Sequence, residues 1–214
     1  MPKRKLFEWH YKKVLTNLFI IMKKHLLLSI LAIAIVVFMV RCQTTECPSV
    51  DNATDLILKS YSARTFTSEP VSDGDLELIL KCGIKAPSAA NRQPWKFIVA
   101  KEFSVIQQMI GNVTQGNVLI VVCGPEAQEN STVDFDCGLA TENMTIAAQS
   151  LGLGARIYTG PIRNVNLTMK EILQVPEGYR AVAILRVGQI EKDVDAESAS
   201  SPRNSYEEVV SFLQ

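Results

Sequence analysis

Short apolar runs and helical apolar spacing alternate along the chain from about residue 53 onward. The runs, which are bounded by turn residues, predict buried strands at Lys96–Ala100, Val118–Cys123, Arg156–Tyr158 and Ala181–Val187. Spacings of three and four residues predict helices over 54–61, from Ser72, over 104–110, over 134–151, from Thr168 and over 205–213. We therefore expect an α+β domain in which helices flank a central sheet and 134–151 is the long central helix.

The chain before residue 43 has a different pattern, with one long apolar run. Leu26 to Val40 contains a single polar residue, Ser29, and follows Lys23 and Lys24. A basic stretch ahead of a short apolar run is the layout of an export signal. We therefore expect three parts, a membrane-directed signal or anchor segment, a linker and one folded domain, at residues 1–42, 43–52 and 53–214.

Three fates of the membrane-directed segment stay open. An uncleaved anchor is favoured because Phe19 to Met22 lengthens the apolar stretch, although the main run is shorter than the roughly 20 residues of a full span. A cleaved signal peptide is the second fate, and a lipoprotein acylated at Cys42 is the third. Met22 is itself a conventional start, so whether residues 1–21 are translated is open as well.

Charge is distributed unevenly, although the net charge is zero. Residues 1–42 carry +7 and the remainder carries −7. A negatively charged domain does not bind a nucleic-acid backbone by releasing counterions. The sequence also contains no zinc finger or RNP motif. Nucleic acid is therefore excluded as a partner.

The folded part lacks the residues of several common catalytic sites. Both histidines, His10 and His25, precede it, and neither a Gly-x-Ser-x-Gly nor a P-loop spacing occurs. No Cys/His spacing indicates a metal site. An enzyme without a catalytic base or nucleophile takes its reactivity from a cofactor, and a flavin can supply that reactivity. Groups suited to FMN occur in four places, namely Ser62–Arg64, the Pro87–Asn91 turn, Thr159–Gly160 and Arg203.

Five motifs then point to one family. They are Ser60-Tyr61-Ser62-Ala63-Arg64-Thr65-Phe66, the segment from Ala86-Pro87-Ser88-Ala89-Ala90-Asn91 to Trp95, Asp136-x-Gly138-Leu139-Ala140, Pro176-Glu177-Gly178 and Pro202-Arg203. In this order, over about residues 54–212, they resemble the nitroreductase family of FMN-dependent NAD(P)H oxidoreductases. The resemblance implies a mostly antiparallel sheet flanked by helices, a long central helix and a homodimer with FMN at the interface.

The resemblance also implies which residues bind FMN, and they are Ser60, Tyr61, Ser62, Arg64, Pro87, Ser88, Ala89, Asn91, Thr159, Gly160 and Arg203. Ser62 and Arg203 are expected at the phosphate and Arg64 at the N1/O2 edge. Thr159 and Gly160 are expected by N5 and O4, with a backbone N–H donating to N5. The turn residues Pro87, Ser88, Ala89 and Asn91 are expected to approach from the partner subunit. No catalytic side chain is expected, since flavin N5 carries the chemistry.

Two departures from the family pattern modify this expectation. Ser60 stands where an arginine is usual, and Ser201 stands where a second basic residue often precedes the arginine aligned with Arg203. We therefore expect weaker FMN retention. Residues 101–117 leave room for one short helix, so we also expect an open flavin face and loose substrate choice.

The expected function is reduction of nitroaromatic, quinone or related acceptors with NAD(P)H, by ping-pong hydride transfer through flavin N5. One alternative is a membrane-tethered flavin-binding electron-relay protein without NAD(P)H turnover. A reductive dehalogenase is less favoured, because its substrate lid needs an acid, a tyrosine and a lysine together. Residues 101–117 offer no tyrosine and one lysine, Lys101.

Overall fold

Four antiparallel strands form the sheet at the centre of the fold, in the order β1-β2-β4-β3. Their bounds are β1 Lys96–Ala100, β2 Val118–Pro125, β3 Gly154–Tyr158 and β4 Tyr179–Gly188. The inner strand β2 is buried on both faces, which explains why its sequence is a continuous apolar run rather than an alternating one. β3 is an edge strand. Its register with β4 sets Ala155 opposite Val187 and Tyr158 opposite Ile184.

The coordinates are a computed structural model, and the structure describes Lys23 and residues 50–126, 131–191 and 202–213. The predicted membrane-directed segment, 1–42, lies outside these residues apart from Lys23, and so does most of the predicted linker. Among the described residues, no helix is both long and apolar enough to cross a membrane. The described residues from Val50 onward belong to one compact unit.

Six α-helices are described, together with a 3-10 turn at Ala89–Asn91. Their bounds are α1 Val50–Leu58, α2 Asp73–Ile84, α3 Phe103–Met109, α4 Val133–Ser150, α5 Ile162–Thr168 and α6 Tyr206–Val209. α4 is the long central helix. With α2 it covers one face of the sheet, and Ile79, Met144 and Ala148 are fully buried in the core that forms there.

The opposite face of the sheet carries a second core. Ile106 and Met109 of α3, Val165 of α5 and the following Met169 pack on it against the sheet. The chain therefore forms three layers, with α2 and α4 on one side of the sheet and α3 and α5 on the other. This arrangement confirms the α+β expectation of an antiparallel sheet flanked by helices.

Two thiols lie inside these cores and do not act as reactive groups. Cys123 and Cys137 are buried. Burial raises the pKa of Cys123 to about 11 and that of Cys137 to about 12, so both thiols stay protonated at neutral pH. Because the thiolate is the nucleophile, these residues serve as small apolar core groups.

Most predicted elements are confirmed, with ends that differ by a few residues. α2 begins as predicted, because the Ser72 side chain accepts a hydrogen bond from the Asp75 amide at 3.0 Å. The predicted strands and the helices near 104–110 and 134–151 are present. α6 is shorter than the predicted 205–213. Its Ser205–Glu208 capping box forms, but the helix has no buried residue, and a helix without tertiary packing is marginal beyond one turn.

The prediction of a helix beginning at Thr168 is wrong. Thr168 is the last residue of α5, which begins at Ile162 directly after Pro161. Proline has a fixed φ suited to the start of a helix. The Thr168 hydroxyl instead donates to the Asn164 carbonyl within the helix at 2.9 Å. Proline rather than threonine therefore sets the helix start in this segment.

Candidate cofactor site

The segment that follows α1 lies along the edge strand β3. The Ala63 amide donates to the Ala155 carbonyl at 3.0 Å, and the Ala63 side chain is buried. Ser62 and Arg64 on either side of it are exposed. The sheet thus fixes this segment, so that one hydroxyl and one guanidinium, two residues apart, are available to a ligand.

A buried arginine holds the end of the same segment. Arg186 is 2% exposed, and its guanidinium lies over the Phe66 ring, 3.9 Å from the ring centroid. Its Nε donates to Asn117 Oδ1 at 2.8 Å, and Asn117 Nδ2 donates to the Thr67 carbonyl at 3.2 Å. Burial lowers the pKa of Arg186. A desolvated cation over an aromatic ring contributes about 2 kcal/mol, so this contact anchors the segment that carries Ser62 and Arg64.

The start of the segment is joined to the end of α4. Gln149 Nε2 donates to the Tyr61 carbonyl at 2.7 Å, and burial raises the pKa of Tyr61. Ser60 is half-buried, and its amide donates to the Ile57 carbonyl at 3.1 Å. Ser60 brings no charge to a position where the resemblance implies a cation.

Thr159 and Gly160 follow directly on β3 and are exposed. At the rise of a β-strand, Thr159 lies about 13 Å from Ala155. A side-chain carbon placed on Gly160 would have no neighbouring atom within 4 Å, so the space at this end of β3 is open. Ser62–Arg64 and Thr159–Gly160 therefore lie beside opposite ends of the edge strand.

Arg203, the predicted phosphate ligand, is exposed in the segment ahead of α6. Ser201, where the sequence lacks a basic residue, lies outside the described residues.

The predicted Pro87–Asn91 turn has an unusual backbone. Ala90, Asn91 and Gln93 have positive φ values of 51°, 54° and 47°, a region that costs most non-glycine residues roughly 1–2 kcal/mol each. The Gln93 amide donates to Ser88 Oγ at 2.9 Å. Pro87 and Asn91 are exposed, and Ser88 and Ala89 are half-buried. The turn therefore presents its tip to solvent in a conformation that needs support.

That support comes from the first turn of α4. Asp136 is fully buried, and its Oδ1 accepts a hydrogen bond from the Ala89 amide at 3.0 Å. Arg92 Nη2 donates to Thr132 Oγ1 at 2.9 Å, and Thr132 Oγ1 donates to Asp136 Oδ2 at 3.1 Å. In the sequence, Asp136 was singled out only as the first residue of the Asp136-x-Gly138-Leu139-Ala140 motif. Its place on the buried face of α4, next to Cys137, was the signal that could have indicated its contact with the turn.

Within one chain the two parts of the predicted site are far apart. The turn contacts α4 at Asp136, whereas the Tyr61 carbonyl contacts α4 at Gln149. The rise of an α-helix separates these two residues by about 20 Å along its axis. The structure therefore brings Ser62 and Arg64 to β3, but it leaves the Pro87–Asn91 turn at the other end of the central helix.

The donor groups along β3 fit FMN by their chemistry. Ser62 and Arg64 are exposed beside a fixed strand and match what a phosphate or an electron-rich ring edge requires. The other end of the strand has open space at Gly160. Among the described residues, no three acidic, cysteine or histidine side chains come together as metal ligands.

The segment between β1 and β2 packs on the sheet. Its helix α3 uses Ile106 and Met109 in the core, and Val113 after it is buried too. Lys101 at its start is paired with Asp73. The segment therefore belongs to the layer that covers one face of the sheet.

Comparison with known proteins gives a consistent result. The sequence model of the nitroreductase family matches residues 57–111 and 111–189. An Archaeoglobus fulgidus protein named as an NADH dehydrogenase/NAD(P)H nitroreductase is 32% identical over 151 residues, which cover 65% of this chain and 86% of that protein. A Bacillus subtilis FMN reductase (NADPH) is 27% identical over 65% of this chain and 66% of its own length. The structure of a Bacteroides fragilis nitroreductase with bound FMN has the same fold, with a TM-score of 0.63 at 18% identity over 80% of this chain and all of that one. The chain belongs to the nitroreductase family.

Proposed function

We propose that the protein is an FMN-dependent NAD(P)H oxidoreductase that reduces nitroaromatic, quinone or related small acceptors. One observation carries the proposal, namely the exposed Ser62 and Arg64 on a segment that is hydrogen-bonded to the edge strand of a nitroreductase fold. Relatives named as an NAD(P)H nitroreductase and an FMN reductase support it. When bound, FMN would supply hydride acceptance and donation at N5, in a ping-pong cycle between NAD(P)H and the acceptor.

The roles of the chain's own residues follow from their charge and position. Arg64 supplies fixed positive charge at the ring's N1/O2 edge, where reduction of the flavin would place negative charge. Ser62 donates a hydroxyl hydrogen bond toward the phosphate, and Arg203 adds a second cation there. Thr159 and Gly160 bring backbone N–H groups to the N5 and O4 side, at the end of β3 where space is open.

We further propose that two copies of the chain form each site. The Pro87–Asn91 turn is about 20 Å from the Ser62–Arg64 segment along α4, and its tip is exposed. A second copy in a symmetric dimer can bring its turn to the flavin held by the first. This supports a homodimer with FMN at the interface, in which Pro87, Ser88, Ala89 and Asn91 act on the partner's cofactor.

The open site supports loose substrate choice. Residues 101–117 pack on the sheet rather than extending over the cofactor, so a substrate would meet few side chains that select its shape. The same packing argues against reductive dehalogenation, since the lid which that chemistry needs has no counterpart in this segment.

FMN binding is the direct test of the proposed site. Titration of the full-length protein into FMN should quench the flavin fluorescence, and Arg64→Ala should raise the Kd about tenfold, as expected for one lost charge-assisted contact. Arg163→Ala removes an exposed arginine of α5 and should leave the Kd unchanged. Absence of quenching by the wild-type protein would contradict the proposal.

A further inference from the structure

The Asp136 carboxylate makes hydrogen bonds that helix capping does not explain. Asp136 is fully buried in the first turn of α4, where an ionised group is costly unless it is hydrogen-bonded. Its two oxygens accept hydrogen bonds from two different segments. Oδ1 accepts from the Ala89 amide at 3.0 Å, and Oδ2 accepts from the Thr132 hydroxyl at 3.1 Å.

The Asp136 carboxylate holds the chain on both sides of Ala90 and Asn91 in the Pro87–Asn91 turn. The Ala89 amide is bound directly, and Arg92 is bound through Thr132, which accepts from Arg92 and donates to Asp136. Ala90 and Asn91, which lie between the two attachment points, have positive φ. Residues in that region persist where the surrounding structure imposes them. The hydrogen bonds of Asp136 are therefore placed where they fix the left-handed tip of the turn.

We propose that Asp136 is a positioning residue for cofactor binding, which acts through the Pro87–Asn91 turn on the FMN of the partner subunit. The inference rests on the proposed function. Asp136 touches no ligand itself. Its buried carboxylate keeps Ala89, Ala90 and Asn91 in the conformation that reaches across the dimer, so its effect appears as the FMN affinity of an otherwise folded protein.

The neighbouring Asp134 provides a matched control. It lies in the same first turn of α4, but its side chain is 61% exposed and is paired with Arg180. Asp134→Asn removes a charge at nearly the same point of the sequence without touching the turn. Thr132→Val removes the link to Arg92 while it leaves the Asp136–Ala89 hydrogen bond in place.

The test compares the full-length wild type with Asp136→Ala, Asp136→Asn, Thr132→Val and Asp134→Asn. Amide hydrogen exchange of Ala89 without FMN reports the turn, and fluorescence titration of the folded variants reports the FMN Kd. We expect Asp136→Ala to speed Ala89 exchange and to raise the Kd about tenfold, the size of one lost charge-assisted hydrogen bond. Asp136→Asn and Thr132→Val should have smaller effects of the same sign, because each keeps part of the network. Asp134→Asn should change neither quantity.

A merely structural role predicts a different outcome. The melting temperature of Asp136→Ala and Asp136→Asn would fall while the FMN Kd of the folded protein stayed at the wild-type value, and that result would overturn the inference but leave the proposed function standing. If Asp136→Ala does not fold, Asp136→Asn and Thr132→Val decide the question by the same two readouts. If the wild type itself binds no FMN, the proposed function fails and the positioning role fails with it.

Discussion

Ser60 stands at a position where the family resemblance implies an arginine. It is half-buried next to the segment that carries Ser62 and Arg64, and it brings no charge to the expected phosphate site. A charge-assisted contact to phosphate is worth roughly 1.5–3 kcal/mol. We therefore expect FMN to bind more weakly here than in relatives that keep the arginine, and to be partly lost during purification.

Restoring the cation tests this account. Ser60→Arg should lower the FMN Kd about tenfold, because one added charge-assisted contact has that value. Isothermal titration of the full-length protein measures it. Ser104→Arg adds the same charge at an exposed position on α3 and should leave the Kd unchanged. A subnanomolar Kd in the wild type, or no gain from Ser60→Arg, would contradict the account.

The roles of individual residues were not equally predictable from the sequence. Trp95, which ends the second family motif, is a core residue, and its ring is stacked on Phe97 at 6.5 Å between centroids. The roles of Asp136 and Arg186 were not predicted. Each depends on hydrogen-bond partners 47 or more residues away in the chain, and local patterns contain no information on such pairs.

The crossing of α2 and α4 depends on a glycine. A side-chain carbon on Gly83 would lie 2.7 Å from Cγ and 2.8 Å from Sδ of Met144, and 3.2 Å from the Phe97 ring. Met144 is fully buried, so it would have to shift within the core to make room for that carbon. Because α2 leads directly into the Pro87–Asn91 turn, this close packing also sets where the turn begins.

Gly83→Ala should destabilise the fold by about 1–3 kcal/mol through overpacking. Gly74→Ala, in the same helix, meets only Ser72 Oγ at 3.9 Å and should instead stabilise it by about 0.5–1 kcal/mol, because alanine favours a helix over glycine. Urea unfolding of the two variants measures both changes. Equal effects of the same sign would show that α2 and α4 do not pack this closely.

Elements were predictable where a local pattern decides them. The buried strands follow from apolar runs, and α2 follows from the Ser72–Asp75 cap. Element ends were less certain, since tertiary contacts set them. α1 ends at Leu58 because the chain then turns to run along β3. The start of α5 differs from the predicted one because it follows Pro161 rather than Thr168.

At the scale of the whole molecule, the arrangement of the elements was predictable from the family resemblance but not from the apolar pattern. The strand order β1-β2-β4-β3 depends on pairings between distant segments, which periodicity does not contain. The same holds for the distance between the turn and the Ser62–Arg64 segment. That distance supports a site formed by two copies of the chain. A test can distinguish such a site from one that lies within a single chain.

Mixed dimers provide that test. Arg64→Glu damages one half of the site, and the double variant Ser88→Ala/Asn91→Ala damages the other. Co-expression with two different tags isolates dimers with one subunit of each kind. In a symmetric dimer with shared sites, one site carries both defects and the other carries none, so activity should return to about half of the wild-type value. Activity no higher than that of the two parent dimers would show that each site lies within one chain.

Reduction of the bound flavin by pyridine nucleotide tests the central claim most directly. FMN-loaded full-length protein is mixed with NADH or NADPH without oxygen, and the visible flavin absorption is followed by stopped flow. The account predicts that at least one of the two nucleotides bleaches this absorption within milliseconds to seconds, and that adding a quinone or nitroaromatic acceptor restores it. Bound flavin that stays oxidised with both nucleotides would contradict an NAD(P)H oxidoreductase and would favour an electron-relay protein.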